Sequence, residues 1–201
     1  MKSFEEAVSN RRTNYALSKE IEISPEVIID KIKKMVQEAP SAFNMQSTRV
    51  VIALGENHDA IWQITKDILR KIVPAEHFAP TEEKLNGFAA AYGTVLFFDE
   101  TETVAAMQKQ FTAYAENFPI WAQQANGMAQ FAVWTALADL GLGVNLQHYN
   151  PLIDDAVKAK FGVPASWKLI AQMPFGQPVQ LPKPIEKMAI EDRVKVFPGN
   201  D

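Results

Sequence analysis

A long segment with helical spacing of apolar side chains covers residues 120–140, between Pro119 and Gly141. Proline is common at the start of a helix and glycine just after its end, so both residues are typical helix boundaries. The apolar side chains cover much of the circumference rather than one stripe: Ile120, Trp121, Met128, Phe131, Val133, Ala136, Leu137 and Leu140. A helix of this kind is typical of the centre of a core or of an interface. We therefore expect it to lie centrally in the fold.

The rest of the chain alternates helical patterns with short apolar runs. Apolar side chains recur at helical spacing behind Ser24-Pro25, and Pro40 stops that pattern. The spacing predicts further helices at 3–12, 61–72, 84–91, 101–117 and 151–160, with Pro74 and Pro80 bracketing a connection. Continuous or alternating apolar runs predict strands at 49–54, 93–99, 144–147, 168–175 and 193–197. The succession indicates a helix-rich α/β or α+β protein, read as a single domain over residues 1–201.

Composition excludes several classes of function. A net charge of −4 leaves no basic stripe to neutralise phosphates, which argues against a nucleic-acid partner. The chain has no cysteine, so disulfides, thiolate catalysis and zinc–thiolate sites are impossible. Acidic residues stand near the N-terminus where a signal peptide would be apolar, and no apolar run is long enough to cross a membrane. We expect a cytoplasmic protein without a membrane partner. The three histidines fit no metal-binding spacing, so we expect no metal.

The arginine segment, Arg11–Tyr15, follows the first predicted helix. Arg11 and Arg12 supply two guanidinium groups and Thr13 a hydroxyl, a good chemical match to a phosphate and a polar ring edge. The alternative is a solvated basic helix end, where arginine interacts favourably with the helix dipole. From the residues alone, the pattern predicts an anion site.

The Pro40–Gln46 turn lies between a helix and a strand. It carries Ser41, Asn44 and Gln46, whose polar side chains are suited to a flat heteroaromatic ligand. The alternative is a turn that only ends the helix, because proline, serine and asparagine are common turn residues. The apolar Phe43 interleaved with these polar residues is unusual for a bare turn.

The Gly141–Gln147 segment follows the long helix. Its Gly-Leu-Gly sequence is preceded by a helix and followed by a strand, the reverse of a dinucleotide-binding fingerprint, so we reject a Rossmann interpretation. The remaining structural interpretation is that Gly141 ends the helix.

Near the C-terminus, Arg193 and Lys195 share one face of the predicted strand 193–197. They suit either an anion contact or a charged edge strand that deters aggregation. Phe118, Trp121 and Trp134 have the spacing of core residues, but Phe118 and Trp121 flank Pro119, and we retain both as candidates to line a substrate site.

Together, these segments resemble the FMN-dependent nitroreductase family, most closely its small branch of fungal fatty-acid-repression-mutant type proteins and bacterial copper-induced nitroreductases. The resemblance extends from Phe4 to Phe197. It implies an α+β nitroreductase-like fold: a small mixed sheet surrounded by helices, with a C-terminal tail extending onto the partner subunit. It also implies a homodimer with two FMN sites, each built by both chains.

The resemblance also assigns roles to residues. Arg11, Arg12 and Thr13 match the family segment at the FMN phosphate, ribityl chain and ring, while Tyr15 replaces a family arginine. The turn resembles the family's Pro-Ser-x-x-Asn-x-Gln segment, which binds the partner's FMN. The implied cofactor-binding residues are Arg11, Arg12, Thr13, Tyr15, Pro40, Ser41, Asn44, Gln46, Leu142, Gly143, Asn145, Arg193 and Lys195.

The implied activity is reduction of small electron-poor acceptors, such as nitroaromatics or quinones, by NADH or NADPH. Hydride would pass through FMN, so no catalytic side chain is expected. Two alternatives stay open: a flavin-dependent redox sensor with incidental reductase activity, and an anion-binding protein without flavin.

Overall fold

The computed structural model describes residues 3–199; the first two and last two residues of the predicted domain lie outside this range. The helices are α1 (Phe4–Asn10), α2 (Pro25–Glu38), α3 (Glu56–Leu69), α4 (Phe78–Ala89), α5 (Thr101–Gln110), α6 (Phe118–Asp139), α7 (Asp154–Phe161) and α8 (Ile190–Arg193). The strands are β1 (Leu17–Ser18), β2 (Thr48–Leu54), β3 (Gly93–Glu100), β4 (Gly143–Val144) and β5 (Trp167–Pro178). Short 3₁₀ turns lie at Ala42–Asn44, Ala75–His77 and Thr112–Tyr114.

The sheet has the strand order β1-β5-β3-β2, and β4 pairs with the end of β5. Neighbouring strands are antiparallel. One isolated bridge, between Thr13 and Val144, is parallel and gives the sheet its mixed character. Because β2 ends the strand order, one of its edges pairs with no strand among residues 3–199.

Strand β3 is buried along its whole length because helices cover both faces of the sheet. Its side chains alternate between two hydrophobic clusters, as the period of two in a strand requires. Leu96 and Phe98 face a cluster containing α3, α4 and α7, while Val95 and Phe97 face one containing α2 and α6. Each such buried side chain contributes about 1.5–3 kcal/mol. The predicted α+β fold, a small mixed sheet surrounded by helices, is confirmed.

Helix α6 has one buried side and one exposed apolar stripe. Phe118, Val133 and Leu137 are fully buried, whereas Ile120, Met128 and Phe131 are exposed. Gly127 lies on the exposed side, and a side chain added there would meet no atom within 4 Å. The apolar circumference seen in the sequence thus divides into a core-facing half and a surface half.

A left-handed glycine ends α6. Gly141 has φ 86°, a conformation that glycine adopts without steric cost. Its N–H donates to the carbonyl of Ala138 at 3.0 Å, and the N–H of Leu142 donates to that of Leu137 at 3.0 Å. These two bonds are those of a Schellman motif, so Gly141 is a helix-ending residue.

Some boundaries differ from the sequence predictions. Helix α4 begins at Phe78 and includes Pro80, which fits the first turn because N–H groups there need no helical partner. Helix α5 ends at Gln110, and α7 begins at Asp154 rather than beside Pro151.

The predicted strand at 193–197 is wrong. Arg193 ends the short helix α8, and residues 194–199 have no regular structure. Alternation of side chains fits a strand, but no neighbouring strand in the described chain pairs with this segment. None of the helices in residues 3–199 is long and apolar enough to span a membrane.

Candidate functional site

The arginine segment runs alongside β4. Its N-terminal support is α1, which begins with a capping box between Ser3 and Glu6. The N–H of Asn14 donates to the carbonyl of Val144 at 2.9 Å, and Asn145 Nδ2 donates to the carbonyl of Asn14 at 2.8 Å. The fold therefore joins two segments separated by most of the chain.

Gly143 makes this approach possible. A Cβ at this position would lie 2.6 Å from Leu17 Cδ2, 3.0 Å from Asn14 Cβ and 3.1 Å from Pro178 Cβ. Glycine at this position is therefore required by packing, whether or not its backbone also contacts a ligand. Leu142 is nearly buried in the core beside α6.

The side chain of Asn145 is fully buried and already bonded. Besides its bond to Asn14, its Oδ1 accepts a hydrogen bond from Gln147 Nε2 at 2.8 Å. Asn145 thus fixes the backbone of the arginine segment, and its contact with a cofactor stays a prediction.

A cavity of about 420 Å³ opens beside the arginine segment; we call it the arginine cavity. The C-terminal tail forms its other wall, and Arg12 Nη2 donates to the carbonyl of Lys183 at 2.5 Å. Tyr15 also lines the cavity and is exposed. The lining residues are Arg11–Ala16, Gln180, Leu181, Pro182, Lys183 and Ile185.

Two arginines and a lysine give this cavity the chemistry of an anion site. Arg11 lies 4.6 Å from the ring centre of Trp134, close enough for a cation–π interaction that orients the guanidinium. Neither Arg11 nor Arg12 forms an ion pair with a carboxylate of the described residues. Their charges, with the Thr13 hydroxyl, fit a phosphate group such as that of FMN.

The C-terminal cation at this cavity is Lys183, which the sequence analysis missed. Arg193 and Lys195 are not among the lining residues. Lys195 instead donates to the carbonyl of Glu191 at 2.8 Å. Lys183 lies in a proline-rich stretch without periodicity, so no local pattern marked it.

The Pro40–Gln46 turn contains three non-glycine residues with left-handed backbone: Phe43 at φ 54°, Asn44 at φ 52° and Gln46 at φ 51°. Such conformations cost about 1–2 kcal/mol for residues with a side chain, somewhat less for asparagine. Ser41 opposes this strain, because its Oγ accepts the Gln46 N–H at 2.9 Å. A strained segment held in place by its surroundings is typical of a binding site.

A second, smaller cavity of about 190 Å³, the turn cavity, lies beside this turn. Hydroxyl and amide groups line it, which suits the polar edge of a flavin ring. Its lining residues are Val36, Gln37, Ala39, Pro40, Ser41, Gln46, Thr48, Arg49 and Ala125. The arginine cavity and the turn cavity share no lining residue. Within one chain, the two candidate segments therefore line separate cavities.

An aromatic cluster surrounds Phe43. Its ring stacks on Trp121 with centres 5.9 Å apart and lies 4.7 Å from Phe111. Phe118 is fully buried within the cluster, so its ring has no free face in this chain, whereas Trp121 is half-buried. Phe43 (49% exposed) and Tyr114 present open aromatic surface and are candidates that the sequence analysis did not select.

Asp99 and His58 are buried ionisable residues outside the two cavities, and both have hydrogen-bond partners. Burial raises the pKa of Asp99, and a hydrogen bond from Asn126 Nδ2 at 2.9 Å opposes the rise. Burial likewise lowers the pKa of His58. Within residues 3–199, no group of three or more histidines and carboxylates is arranged to hold a metal ion.

Comparisons with known proteins identify the family of this chain. The model of the nitroreductase family matches residues 8–177. Two Saccharomyces cerevisiae proteins are similar: the putative nitroreductase HBN1, 38% identical over 93% of each chain, and the nitroreductase FRM2, 36% identical over 95% of each chain. A structure of nitroreductase CinD from Lactococcus lactis in complex with chloramphenicol is 43% identical, with a TM-score of 0.90 over 97% of this chain and 100% of that one. On the family match and these relatives together, the chain belongs to the nitroreductase family and is an oxidoreductase of that type.

Proposed function

We propose that the protein is an FMN-dependent oxidoreductase that uses NADH or NADPH to reduce nitroaromatics, quinones or similar electron-poor acceptors. The observation that carries the proposal is the arginine cavity, which combines two guanidinium groups, a threonine hydroxyl and Lys183 beside the backbone of β4. Neither guanidinium forms an ion pair with a carboxylate of the described residues. This donor set fits the phosphate end of FMN, and membership of the nitroreductase family supports the same cofactor.

In this proposal the residues bind and orient rather than react. Arg11, Arg12, Thr13 and Lys183 hold the phosphate, and Tyr15 lies at the mouth of the same cavity. The polar side chains of the Pro40–Gln46 turn contact the ring edge. Bound FMN supplies the chemistry, hydride transfer from NAD(P)H and then to the acceptor, in two half-reactions at one site.

We further propose a homodimer in which the arginine segment of one chain and the Pro40–Gln46 turn of its partner form one site. The separation of the two cavities within a single chain supports this arrangement. The exposed stripe on α6, with Gly127 open to close approach, offers an apolar surface for a second copy.

The tail supplies a second contact between the chains in this dimer. A groove of about 550 Å³, the edge groove, runs between α2 and β2, the strand at the end of the strand order in the described part of the chain. Tail residues Val194, Val196 and Phe197 are exposed in the single chain. We propose that the tail extends onto the partner and covers apolar surface there, which would also explain why residues 193–197 alternate without forming a strand.

The proposed substrate class rests on the aromatic cluster. Phe43 and Tyr114 offer exposed rings, and aromatic side chains stack favourably on flat rings. Structures of the relative CinD hold chloramphenicol and 4-nitrophenol. We propose that flat aromatic acceptors stack on this surface next to the flavin.

Cofactor analysis and anaerobic reduction test the proposal. The purified protein should contain about one non-covalent FMN per chain, be bleached by NADH or NADPH, and be reoxidised by 4-nitrophenol or a quinone. Release of FAD, or no flavin after reconstitution, would contradict the cofactor assignment. Reduction without reoxidation by any acceptor would favour the sensor alternative.

A further inference from the structure

Gln46 is the last left-handed residue of the Pro40–Gln46 turn, and hydrogen bonds hold both its backbone N–H and its backbone carbonyl. Its N–H donates to Ser41 Oγ at 2.9 Å. Its carbonyl accepts a hydrogen bond from Arg49 Nη1 at 2.6 Å. Among the described residues, Arg49 is the only donor to this carbonyl. Both polar backbone groups of the strained residue therefore depend on side chains.

The Arg49 guanidinium carries a charge that no carboxylate neutralises. The same Nη1 also donates to the carbonyl of Thr48 at 3.1 Å, and no ion pair involving Arg49 occurs in residues 3–199. A hydrogen bond from a charged donor is roughly twice as strong as one between neutral groups. Arg49 thus supplies a charge-assisted hydrogen bond to this turn.

The position of Arg49 links this bond to the turn cavity. Arg49 lines that cavity together with Pro40, Ser41 and Gln46, and its side chain is half-buried. Loss of the guanidinium would free the Gln46 carbonyl and allow the backbone to leave the left-handed region, which costs about 1–2 kcal/mol to maintain. The Gln46 side chain would then no longer have a fixed direction.

We propose that Arg49 is a positioning residue of the flavin site: its charged hydrogen bond to the Gln46 carbonyl pre-organises the Pro40–Gln46 turn for FMN. This inference rests on the proposed function. It adds to the site a residue whose role is to reduce the ordering that binding would otherwise require. Arg49 acts through Gln46 and need not touch the cofactor.

Titration of flavin-free protein with FMN, followed by flavin fluorescence, measures the effect. Arg49→Met keeps the apolar stem but loses the donor, and should weaken FMN binding about ten- to hundredfold. Arg49→Lys keeps a charged nitrogen able to reach both carbonyls and should retain most of the affinity. Lys71→Met removes a cation from the exposed turn after α3, far along the chain from the site, and should change nothing.

A double-mutant cycle separates positioning from general stabilisation. On a Gln46→Gly background the left-handed backbone is no longer strained, so adding Arg49→Met should cost much less affinity than it does alone. If Arg49→Met does not fold, Arg49→Gln, which keeps a neutral donor, replaces it in the cycle and should show an intermediate loss.

The outcomes are distinct. Failure of the wild-type chain to bind FMN would reject the proposed function itself. If the wild type binds FMN, an unchanged affinity in Arg49→Met overturns the inference. Equal losses in Arg49→Met and Arg49→Lys, or the same loss with and without Gln46→Gly, would also overturn it, because neither result depends on a charged bond to a strained Gln46.

Discussion

Replacing Gly143 with alanine tests whether tight packing at β4 holds the arginine segment in place. The new Cβ would lie 2.6 Å from Leu17 Cδ2, 3.0 Å from Asn14 Cβ and 3.1 Å from Pro178 Cβ. Carbon atoms in ordinary contact are about 3.5–4.0 Å apart. The leucine methyl group can rotate away, but the two Cβ atoms are attached directly to backbone. Relief of these contacts therefore requires the arginine segment and the end of β5 to move away from β4.

The expected cost follows from this overlap. Overpacking of this kind typically destabilises a protein by about 1–3 kcal/mol. The displaced backbone includes Asn14, which is bonded to Val144 at 2.9 Å and to Asn145 at 2.8 Å. If the substitution destabilises the FMN-bound state by about 1.4 kcal/mol more than the flavin-free folded state, FMN affinity falls about tenfold.

Denaturant unfolding of the flavin-free protein and FMN titration measure the two effects. The matched control is Gly87→Ala in α4, where the added Cβ meets nothing within 4 Å. Gly87 lies in the last turn of α4, and alanine at a helical position should stabilise the protein by up to about 0.5–1 kcal/mol, the opposite sign for the same chemical change. Unchanged stability and unchanged FMN affinity in Gly143→Ala would refute the packing argument. Lost stability with full affinity would show that the arginine segment is held by other contacts.

Three further perturbations give separate tests. Arg12→Ala should weaken FMN binding about ten- to hundredfold in a fluorescence titration, whereas Arg193→Ala should have a smaller effect if Lys183 is the C-terminal cation of the site. Burial lowers the pKa of His58, so the unfolded state binds this proton more readily than the folded state, and the free energy of unfolding should fall as pH drops below about 6.5. The dependence should be shallower in His58→Gln, measured by urea unfolding at several pH values. Gly127→Leu should reduce both dimer formation, measured by sedimentation, and FMN content, measured by absorbance; a monomer that keeps its flavin would contradict a shared site.

The sequence predicted elements whose pattern is local. Strand β3 and helix α2 are marked by continuous or periodic apolar residues between Gly, Pro and Ser boundaries, and their observed limits agree within a residue or two. Gly141 was identified as a helix-ending residue for the same reason. The prediction of a strand at 193–197 failed because alternation shows only that a segment can form a strand. Forming one also requires a neighbouring strand to pair with, and the described chain does not supply one.

The site was less visible because tertiary contacts determine it. Phe43, Asn44 and Gln46 adopt left-handed backbone, but none is a glycine, so the sequence did not predict this conformation. Lys183 becomes a site candidate only when the tail folds back to accept the Arg12 hydrogen bond. The family resemblance identified the two segments as candidates for the site, and the structure shows the hydrogen bonds that hold them in place.

Helix α6 relates the two candidate segments in space. Trp134, near one end, lies under Arg11, and Trp121, near the other, stacks on Phe43. At 1.5 Å per residue, the two tryptophans are about 20 Å apart along the axis, too far for one flavin ring to contact both supports. Their midpoint falls at Gly127 and Met128, on the exposed stripe. A twofold axis there, with two α6 helices running antiparallel, would bring the Trp121 end of one chain to the Trp134 end of its partner. In the proposed dimer, Gly127 would allow the two helices to approach closely and would thus also set the distance at which each flavin site is completed.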